Sequence, residues 1–313
     1  MPLDPQIAKA LEALAKANIP PIESLDPPAA RDQMAAMNAA RGGEPTPVRQ
    51  VENRTIPTPD GYDLPIRLYW PHAEGALGAL VYFHGGGHVI GSLDTHDNVA
   101  RNLCEGAGCV VVSVDYRMGP EHKFPKAVED SWTALLWTAD NAASLGIDPA
   151  KLAVGGDSAG GNLAGVVALM ARDAGAPKLV LQSLVYPVGD YHLVGESYKT
   201  YATGYGILTD KAMAWFQGHY LNSLDDAKDW RASPLLAERF AGVAPAVITA
   251  AECDVLFDDG VRYREALEAA GVPVQYTCYP GMIHAFFGMA PDVDRAVEAQ
   301  RDVAAALKKA FAG

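Results

Sequence analysis

Cysteine, basic charge and long apolar runs are all scarce in this chain of 313 residues. The 25 Lys and Arg residues against 38 Asp and Glu give a formal net charge of -13, whereas nucleic-acid binding depends on clustered basic side chains. The chain does not start with a basic stretch and a continuous apolar run, and no later segment is apolar enough to span a bilayer. We therefore expect a cytoplasmic protein that binds neither nucleic acid nor membrane.

The four cysteines, Cys104, Cys109, Cys253 and Cys278, form no CxxC pair and have no metal-ligand spacing with histidine. In a reducing compartment such residues are typically free thiols. We predict buried free thiols and no metal site. A disulfide between Cys104 and Cys109 is the less favoured alternative.

The composition that is present is that of a compact fold, because 49% of the residues are hydrophobic and 20% are charged. These proportions are ordinary for a globular protein and differ from those of disordered chains. The length allows one large α/β domain or two smaller ones. In either case the chain is long enough to bury a substantial core.

Short apolar runs alternate with helical or long connecting segments over most of the chain. The predicted strands are ALVYF (79–83), CVVVSVDY (109–116), KLAVGG (151–156), LVLQSLVY (179–186) and PAVITAAE (245–252). The predicted helices between them cover 128–146, 161–175 and 259–271. An antiparallel hairpin is predicted earlier, over 48–70. Continuous apolar strands alternating with helices indicate a doubly wound, mostly parallel sheet that is covered on both faces.

Two segments interrupt this alternation. The first contains an amphipathic helix over about 5–18 and a second helix over about 29–41, followed by a break at Gly42 and Gly43. The second loses strand periodicity and is rich in aromatic residues: Tyr191, Tyr198, Tyr201, Tyr205, Trp215, Phe216 and Tyr220. We predict that residues 1–45 and 189–230 form a helical cap on a core built from 46–188 and 231–313.

The segment GDSAG, at residues 156–160, is a GxSxG motif between a predicted strand and a predicted helix. A serine on such a tight turn projects its hydroxyl out of the sheet, and the positive end of the helix faces developing negative charge. A glycine-rich turn that only packs the helix against the strand is the alternative. We interpret Ser158 as a candidate nucleophile.

A second glycine-rich segment, HGGG at residues 84–87, directly follows a predicted strand. Consecutive glycines let backbone N–H groups approach a substrate oxygen without obstruction by side chains. A mobile loop or a phosphate cradle is the alternative, although the lysine of a GxxxxGK[ST] loop and the GxGxxG spacing are both missing. We predict that this loop completes an oxyanion hole, with His84 bracing it.

Acyl transfer also needs a base and an acid that orients it. Asp254 follows a predicted strand, at the sheet edge where ligand sites of open α/β sheets lie. His284 lies in a loop after another strand, and the order Ser158, Asp254, His284 is the chain order of an α/β-hydrolase triad. The alternative acids are three neighbouring carboxylates, Glu252, Asp258 and Asp259.

Five segments taken together carry a resemblance that covers nearly the whole chain. They are HGGG (84–87) with Gly91 downstream, DYRMGPEHKFPKAVED (115–130), GDSAGGNLA (156–164), DVLFDDG (254–260) and MIHAF (282–286). With these segments the sequence resembles the hormone-sensitive lipase-like family of bacterial esterases. The resemblance implies an α/β-hydrolase fold with a helical cap, and it implies a homodimer.

The resemblance also implies a role for individual residues of this sequence. It assigns a catalytic triad to Ser158, Asp254 and His284. It assigns an oxyanion hole to the N–H groups of Gly86, Gly87 and Ala159. The sequence departs from the family pattern at His88, where relatives often have an aromatic residue. We favour a packed or exposed replacement at His88 over a polar contact to substrate.

The predicted function is a serine carboxylesterase that acts through an acyl-enzyme and needs no metal or organic cofactor. An aromatic-rich cap indicates a small enclosed pocket, which favours small-molecule esters with short to medium acyl chains. One alternative is an amidase, such as an arylformamidase, that uses the same triad. Another is a non-catalytic ligand receptor built on this fold.

Overall fold

The computed structural model of the protein describes residues 2–41 and 44–313, so the predicted Gly42–Gly43 break lies outside the described residues. Within these ranges eight strands form one sheet. The strands are β1 (Gln50–Pro57), β2 (Asp63–Trp70), β3 (Leu77–Phe83), β4 (Val110–Val114), β5 (Ile147–Asp157), β6 (Leu179–Val185), β7 (Ala246–Cys253) and β8 (Val274–Ile283).

The strand order in the sheet is β1-β2-β4-β3-β5-β6-β7-β8. β2 pairs antiparallel with both β1 and β4, whereas all the other neighbouring strands pair parallel. The predicted hairpin and the predicted mostly parallel sheet are therefore both confirmed. The order reverses at β3, because β4 lies on one side of this strand and β5 on the other.

The helices within the described ranges flank the sheet or precede it. They are α1 (Pro5–Ala17), α2 (Pro27–Arg41), α3 (Asp97–Ala107), α4 (Lys126–Asp140), α5 (Ala142–Leu145), α6 (Ala159–Ala174), α7 (Ser197–Thr200), α8 (Asp210–Tyr220), α9 (Phe257–Ala269) and α10 (Asp294–Ala312). Short 3-10 turns cover Ile22–Ser24, Gly204–Gly206, Leu224–Lys228, Pro234–Leu236 and Phe286–Met289.

Most predicted elements differ from the observed ones only at their ends. The helix predicted over 128–146 is the exception, since it divides at Asn141 into α4 and α5. α6 begins two residues before its predicted start, directly after Ser158. All four cysteines are free thiols, so the Cys104–Cys109 disulfide alternative is wrong; three are buried as predicted, whereas Cys278 is only partly buried. No helix within the described ranges has the length and apolar character needed to cross a membrane.

The sheet separates two apolar cores because successive strand residues point to opposite faces. Val81 and Val112 belong to one core, together with buried residues of α4, α6 and α9. Tyr82 and Val111 belong to the other core, together with buried residues of α3 and α10. Every residue of β3 and of β4 is buried, as expected for strands that are covered on both faces. The fold is therefore doubly wound.

The register of the parallel strands brings their carboxyl ends together. Phe83 at the end of β3 is paired with Gly156, and Asp157 at the end of β5 is paired with Val185. The loop after β3 and the turn after β5 therefore meet where the strand order reverses. Such a switch point is where open α/β sheets form their ligand crevices.

A very close backbone approach fixes this meeting point. A Cβ atom at Gly160 would overlap the backbone carbonyl of Phe83 and approach that of His84. Only glycine therefore allows the first turn of α6 to sit directly against the end of β3.

An ion-pair cluster holds the turn between β1 and β2 against α4. The Arg117 backbone N–H and guanidinium both donate to the carboxylate of Asp130, at 2.8 Å from the backbone nitrogen and 2.7 Å from Nη2. The same guanidinium donates to Asp60 in the β1–β2 turn, at 2.8 Å from Nη1. The Asp130 side chain is 0% exposed, whereas that of Asp60 is 40% exposed.

These exposures predict unequal effects on stability. Asp130→Ala should lower the free energy of unfolding by about 3–5 kcal/mol, because it leaves the buried Arg117 charge without its main partner. Asp60→Ala should lower it clearly less, because water replaces an exposed carboxylate. Urea unfolding of both variants measures the difference. Equal losses would show that burial does not decide the strength of this cluster.

Candidate active site

Ser158 lies at the junction between β5 and α6. Its backbone has φ 56° and ψ -118°, a strained conformation for a residue with a side chain and one expected of a strand-to-helix elbow. The Ser158 N–H donates to the carbonyl of Val185 at 2.8 Å, and its carbonyl accepts from the Asn162 N–H at 3.0 Å. These bonds hold the serine above the carboxyl ends of the strands.

The structure brings His284 into hydrogen-bond contact with this serine. His284 Nε2 is 2.9 Å from Ser158 Oγ. His284 follows directly after β8, and its ring lies 4.6 Å from the ring of Tyr186, measured between centroids. Both Ser158 and His284 are buried, at 8% and 7% exposure. The imidazole is therefore packed in place beside the hydroxyl.

Asp254 meets the other nitrogen of the same ring. Its Oδ2 is 2.7 Å from His284 Nδ1, and its Oδ1 accepts the Leu256 N–H at 3.0 Å. Because a carboxylate only accepts hydrogen bonds, His284 Nδ1 carries a proton and Nε2 of the neutral ring is left to accept. The three residues predicted as a triad thus form one continuous chain of hydrogen bonds.

The alternative acids are engaged elsewhere. Glu252 accepts the Gly281 N–H at 2.8 Å, and Asp258 accepts the Ser197 N–H at 2.9 Å. Asp259 accepts the Gly189 N–H at 2.9 Å. Burial raises the pKa of Asp259 to about 7. None of the three carboxylates is in hydrogen-bond contact with the imidazole of His284 in the described structure.

Hydrogen bonds of the loop after β3 fix the direction of its peptide groups. The Gly85 carbonyl accepts from His84 Nδ1 at 2.8 Å, which confirms that His84 braces its own loop. The Gly86 carbonyl accepts from the N–H groups of Val89, at 3.0 Å, and Ile90, at 2.9 Å. In a trans peptide the C=O and N–H point to opposite sides. Anchoring these carbonyls therefore turns the Gly86 and Gly87 N–H groups the other way.

These two N–H groups are unpaired in the part of the chain that the structure describes, and both glycines line the cavity in front of Ser158. Ala159 is the first residue of α6, so its N–H has no acceptor within the helix. The predicted oxyanion-hole residues, Gly86, Gly87 and Ala159, thus all supply free backbone donors beside the serine.

His88 is a packed residue and not a wall of the cavity. Its ring is 0% exposed and stacks on the ring of Tyr220, with centroids 3.8 Å apart. Its Nδ1 is 2.8 Å from the hydroxyl of Tyr191. Burial lowers the pKa of His88 to about 3, so this ring is neutral at physiological pH. These contacts agree with the prediction that His88 is a packed replacement and does not contact the substrate.

Two polar residues of the site carried no role in the sequence analysis. His96 is buried, lines the cavity, and has its Nε2 3.4 Å from Oδ2 of Asp157. Asp157 precedes the serine and accepts hydrogen bonds from the Tyr82 hydroxyl and the Gly85 N–H. The sequence does not predict these contacts, because any residue can occupy the second position of GxSxG and His96 belongs to none of the motif segments.

A cavity of about 490 Å³ opens in front of Ser158 and His284. α1 and α2 contribute apolar side chains to its wall, including Leu11, Leu14, Met34 and Met37. The 189–230 segment contributes others, including Tyr191, Leu208, Met213 and Phe216. Most of the aromatic residues of that segment pack elsewhere, so aliphatic and methionine side chains form much of the wall. A cavity of this size fits a small organic molecule.

Comparisons with known proteins identify the family of the chain. A family model described as the alpha/beta hydrolase fold matches residues 80–288. The carboxylesterase NlhH of Mycobacterium tuberculosis is 44% identical over 269 residues, which are 85% of this chain and 84% of that protein. An ethyl acetate hydrolase of Pseudomonas putida is 38% identical over 319 residues, which are 99% of both chains.

Solved structures give the same result. A hyperthermophilic esterase from the archaeon Pyrobaculum calidifontis superposes with a TM-score of 0.92 at 41% sequence identity, covering 99% of each chain. Both the sequence matches and this structural match extend well beyond the motif segments. The chain therefore belongs to the α/β-hydrolase family, among its hormone-sensitive lipase-like esterases.

Proposed function

We propose that the protein is a serine carboxylesterase in which Ser158 is the nucleophile, His284 the general base and Asp254 the carboxylate that orients the base. That it is a carboxylic ester hydrolase follows from its relatives. The observation that carries the finer proposal is the unbroken chain of short hydrogen bonds from Asp254 through His284 to Ser158.

The direction of each hydrogen bond fits this assignment. Nε2 of the neutral His284 ring accepts the Ser158 hydroxyl proton as Oγ attacks the carbonyl carbon of the ester. The buried Asp254 carboxylate stabilises the imidazolium that forms and keeps its ring in the reactive tautomer. His284 then gives the proton to the departing alcohol. Water repeats the sequence on the acyl-enzyme and releases the acid.

The N–H groups of Gly86, Gly87 and Ala159 are proposed to bind the negative oxygen of the tetrahedral intermediate. Their support is that all three donors are free and lie beside Ser158, and that hydrogen bonds to carbonyl groups fix the direction of two of them. Preorganised donors of this kind need no rearrangement when charge develops, which is the basis of their large catalytic effect.

For the substrate we propose small esters with short to medium acyl chains. The cavity volume and its apolar wall support this range, as does the similarity to a protein named ethyl acetate hydrolase. We also propose that residues 1–45 and 189–230 act as the cap, since side chains from both segments line the cavity. The homodimer, the absence of a cofactor and the cytoplasmic location stay predictions.

The proposed nucleophile gives the first test. Ser158→Ala should abolish hydrolysis of para-nitrophenyl acetate, a loss of at least about 10⁴-fold in kcat, because removing a triad member leaves only residual catalysis. The melting temperature should change little, since one hydroxyl is removed. A folded variant that keeps most of its activity would contradict the assignment.

A second assay separates an esterase from an amidase. The parent enzyme is tested in parallel on aryl esters and on anilides with the same acyl group.

The acid assignment predicts a contrast between two nearby carboxylates. Asp254→Asn should lower kcat by about 10³- to 10⁴-fold, because an amide at this position favours the wrong imidazole tautomer. Glu252→Gln is the matched control and should keep kcat within about threefold, since its amide oxygen still accepts the Gly281 N–H. Steady-state kinetics of both variants measure the contrast. Equal losses, or the reverse order, would transfer the acid role to Glu252.

The cap proposal is tested at Phe216 in α8, whose ring lies against Gly87. Phe216→Ala should broaden the acyl-chain profile of kcat/KM, raising the value for decanoate relative to acetate by about 10-fold, because space for several methylene groups opens in the wall. Assays of para-nitrophenyl esters from acetate to decanoate measure this profile. Trp215→Ala, at a neighbouring position that does not line the cavity, is the control. An unchanged Phe216→Ala profile would place the chain-length limit elsewhere.

A further inference from the structure

Asp157, the residue before the proposed nucleophile, joins the end of β5 to the loop after β3. Its Oδ1 accepts the Gly85 N–H at 3.1 Å and the Tyr82 hydroxyl at 2.6 Å. Its Oδ2 faces His96 Nε2 at 3.4 Å. Tyr82 is the penultimate residue of β3 and Gly85 is the first glycine of the HGGG segment. The carboxylate thus reaches across the switch point of the sheet.

A buried carboxylate in this place requires several partners. Asp157 is 8% exposed, and an unpaired buried charge would be costly. Burial raises the pKa of Asp157, but the nearby His96 ring and the hydrogen bond from the Tyr82 hydroxyl bring it below the ordinary value for aspartate. Because a carboxylate only accepts, Nε2 of His96 carries the proton at this contact. The carboxylate is therefore kept ionised by these partners and can accept the Gly85 N–H.

Two hydrogen bonds fix the conformation of the loop at Gly85, one to its carbonyl and one from its N–H group. Burial lowers the pKa of His84 to about 4, so His84 is neutral and acts through its hydrogen bond to the Gly85 carbonyl. Asp157 binds the N–H of the same glycine. Both peptide groups flanking Gly85 are therefore anchored. A Cβ atom on Gly85 would overlap Asp157 Oδ2, so the absence of a side chain there makes the contact sterically allowed.

We infer that Asp157 is a positioning residue for ester hydrolysis: its carboxylate, held by Tyr82 and His96, anchors the Gly85 N–H and so sets where the Gly86 and Gly87 N–H groups meet the reacting oxygen. The inference rests on the proposed function, because it takes those N–H groups to form the oxyanion hole. Asp157 lines the cavity beside Ser158, but the inference assigns it no contact with the reacting atoms. Its effect is transmitted through the direction of the loop peptides.

The test compares the reaction with the binding of ligands that do and do not form an oxyanion. Asp157→Ala should lower kcat for para-nitrophenyl acetate about 100-fold, the scale of losing one oxyanion donor, with KM changed less than about threefold. Affinity for an aryl trifluoromethyl ketone, whose serine adduct carries an oxyanion, should fall by a factor similar to kcat/KM. Affinity for the matched aryl methyl ketone should stay within about threefold.

Conservative and control variants distinguish positioning from simple stability. Asp157→Asn should keep kcat within about tenfold of the parent, because its amide oxygen still accepts from Gly85 and Tyr82. Asp259→Ala removes another buried carboxylate that accepts a backbone N–H, away from the cavity. This control should lower the melting temperature without weakening trifluoromethyl ketone binding relative to the methyl ketone. Asp157→Ser, whose shorter side chain does not reach Gly85, replaces Asp157→Ala if the latter does not fold.

The inference is overturned if Asp157→Ala or Asp157→Ser keeps kcat within threefold of the parent. It is also overturned if both ketones lose affinity equally, or if Asp259→Ala reproduces the selective loss. Failure of the proposed function would look different. In that case the parent enzyme itself would hydrolyse esters without being inhibited by the trifluoromethyl ketone, before any variant is compared.

Discussion

The close contact between the end of β3 and the first turn of α6 is the constraint on which the site depends. The backbone carbonyl of Phe83 lies where a side chain at Gly160 would be, and Phe83 is paired with Gly156 across the parallel ladder. This contact places the strained Ser158 elbow directly beside the glycine loop. Because β3 and β5 are neighbouring strands, no other strand separates the serine from the loop. The Ser158 hydroxyl and a set of backbone donors therefore face the same small space.

The remaining parts of the site follow from the same strand ends. β7 and β8 pair in parallel, so Asp254 and His284 leave the sheet next to each other, although 30 residues separate them in the chain. The two carboxylates that this packing buries are satisfied locally: Asp254 by Leu256 and His284, and Asp157 by Tyr82 and Gly85. These hydrogen bonds offset the cost of burying the two carboxylates.

Much of this arrangement could be predicted from sequence because its parts have strong local patterns. Apolar runs such as ALVYF give strands that are buried on both faces, and motif segments at their ends give the order Ser158, Asp254, His284. Two helices of the outer layer, α3 and α10, were not predicted. Their buried apolar residues do recur at helical spacing, as Val99 and Leu103 do in α3 and Val303 and Leu307 in α10, so the sequence carried a signal for both helices.

The polar contacts around Asp157 and the packing of His88 could not be predicted, because they join residues that are distant in the chain. His88 stacks on Tyr220 from the 189–230 segment, and nothing in the local sequence specifies that partner. The composition of the cavity wall is similarly nonlocal, since α1, α2 and the segment with Phe216 meet only in three dimensions. The sequence thus indicated the candidate reactive groups, and the structure was needed to identify the side chains that contact them.

The central claim is that Ser158 is an activated nucleophile, and a covalent phosphonate probe measures this most directly. The account predicts that a para-nitrophenyl alkylphosphonate releases one equivalent of nitrophenol per active chain, and that the intact mass rises by a single phosphonyl group. Peptide mapping should locate that group on Ser158, and Ser158→Ala should stay unlabelled. Ester hydrolysis by a parent protein that takes up no phosphonyl group, or takes it up at another residue, would contradict the account.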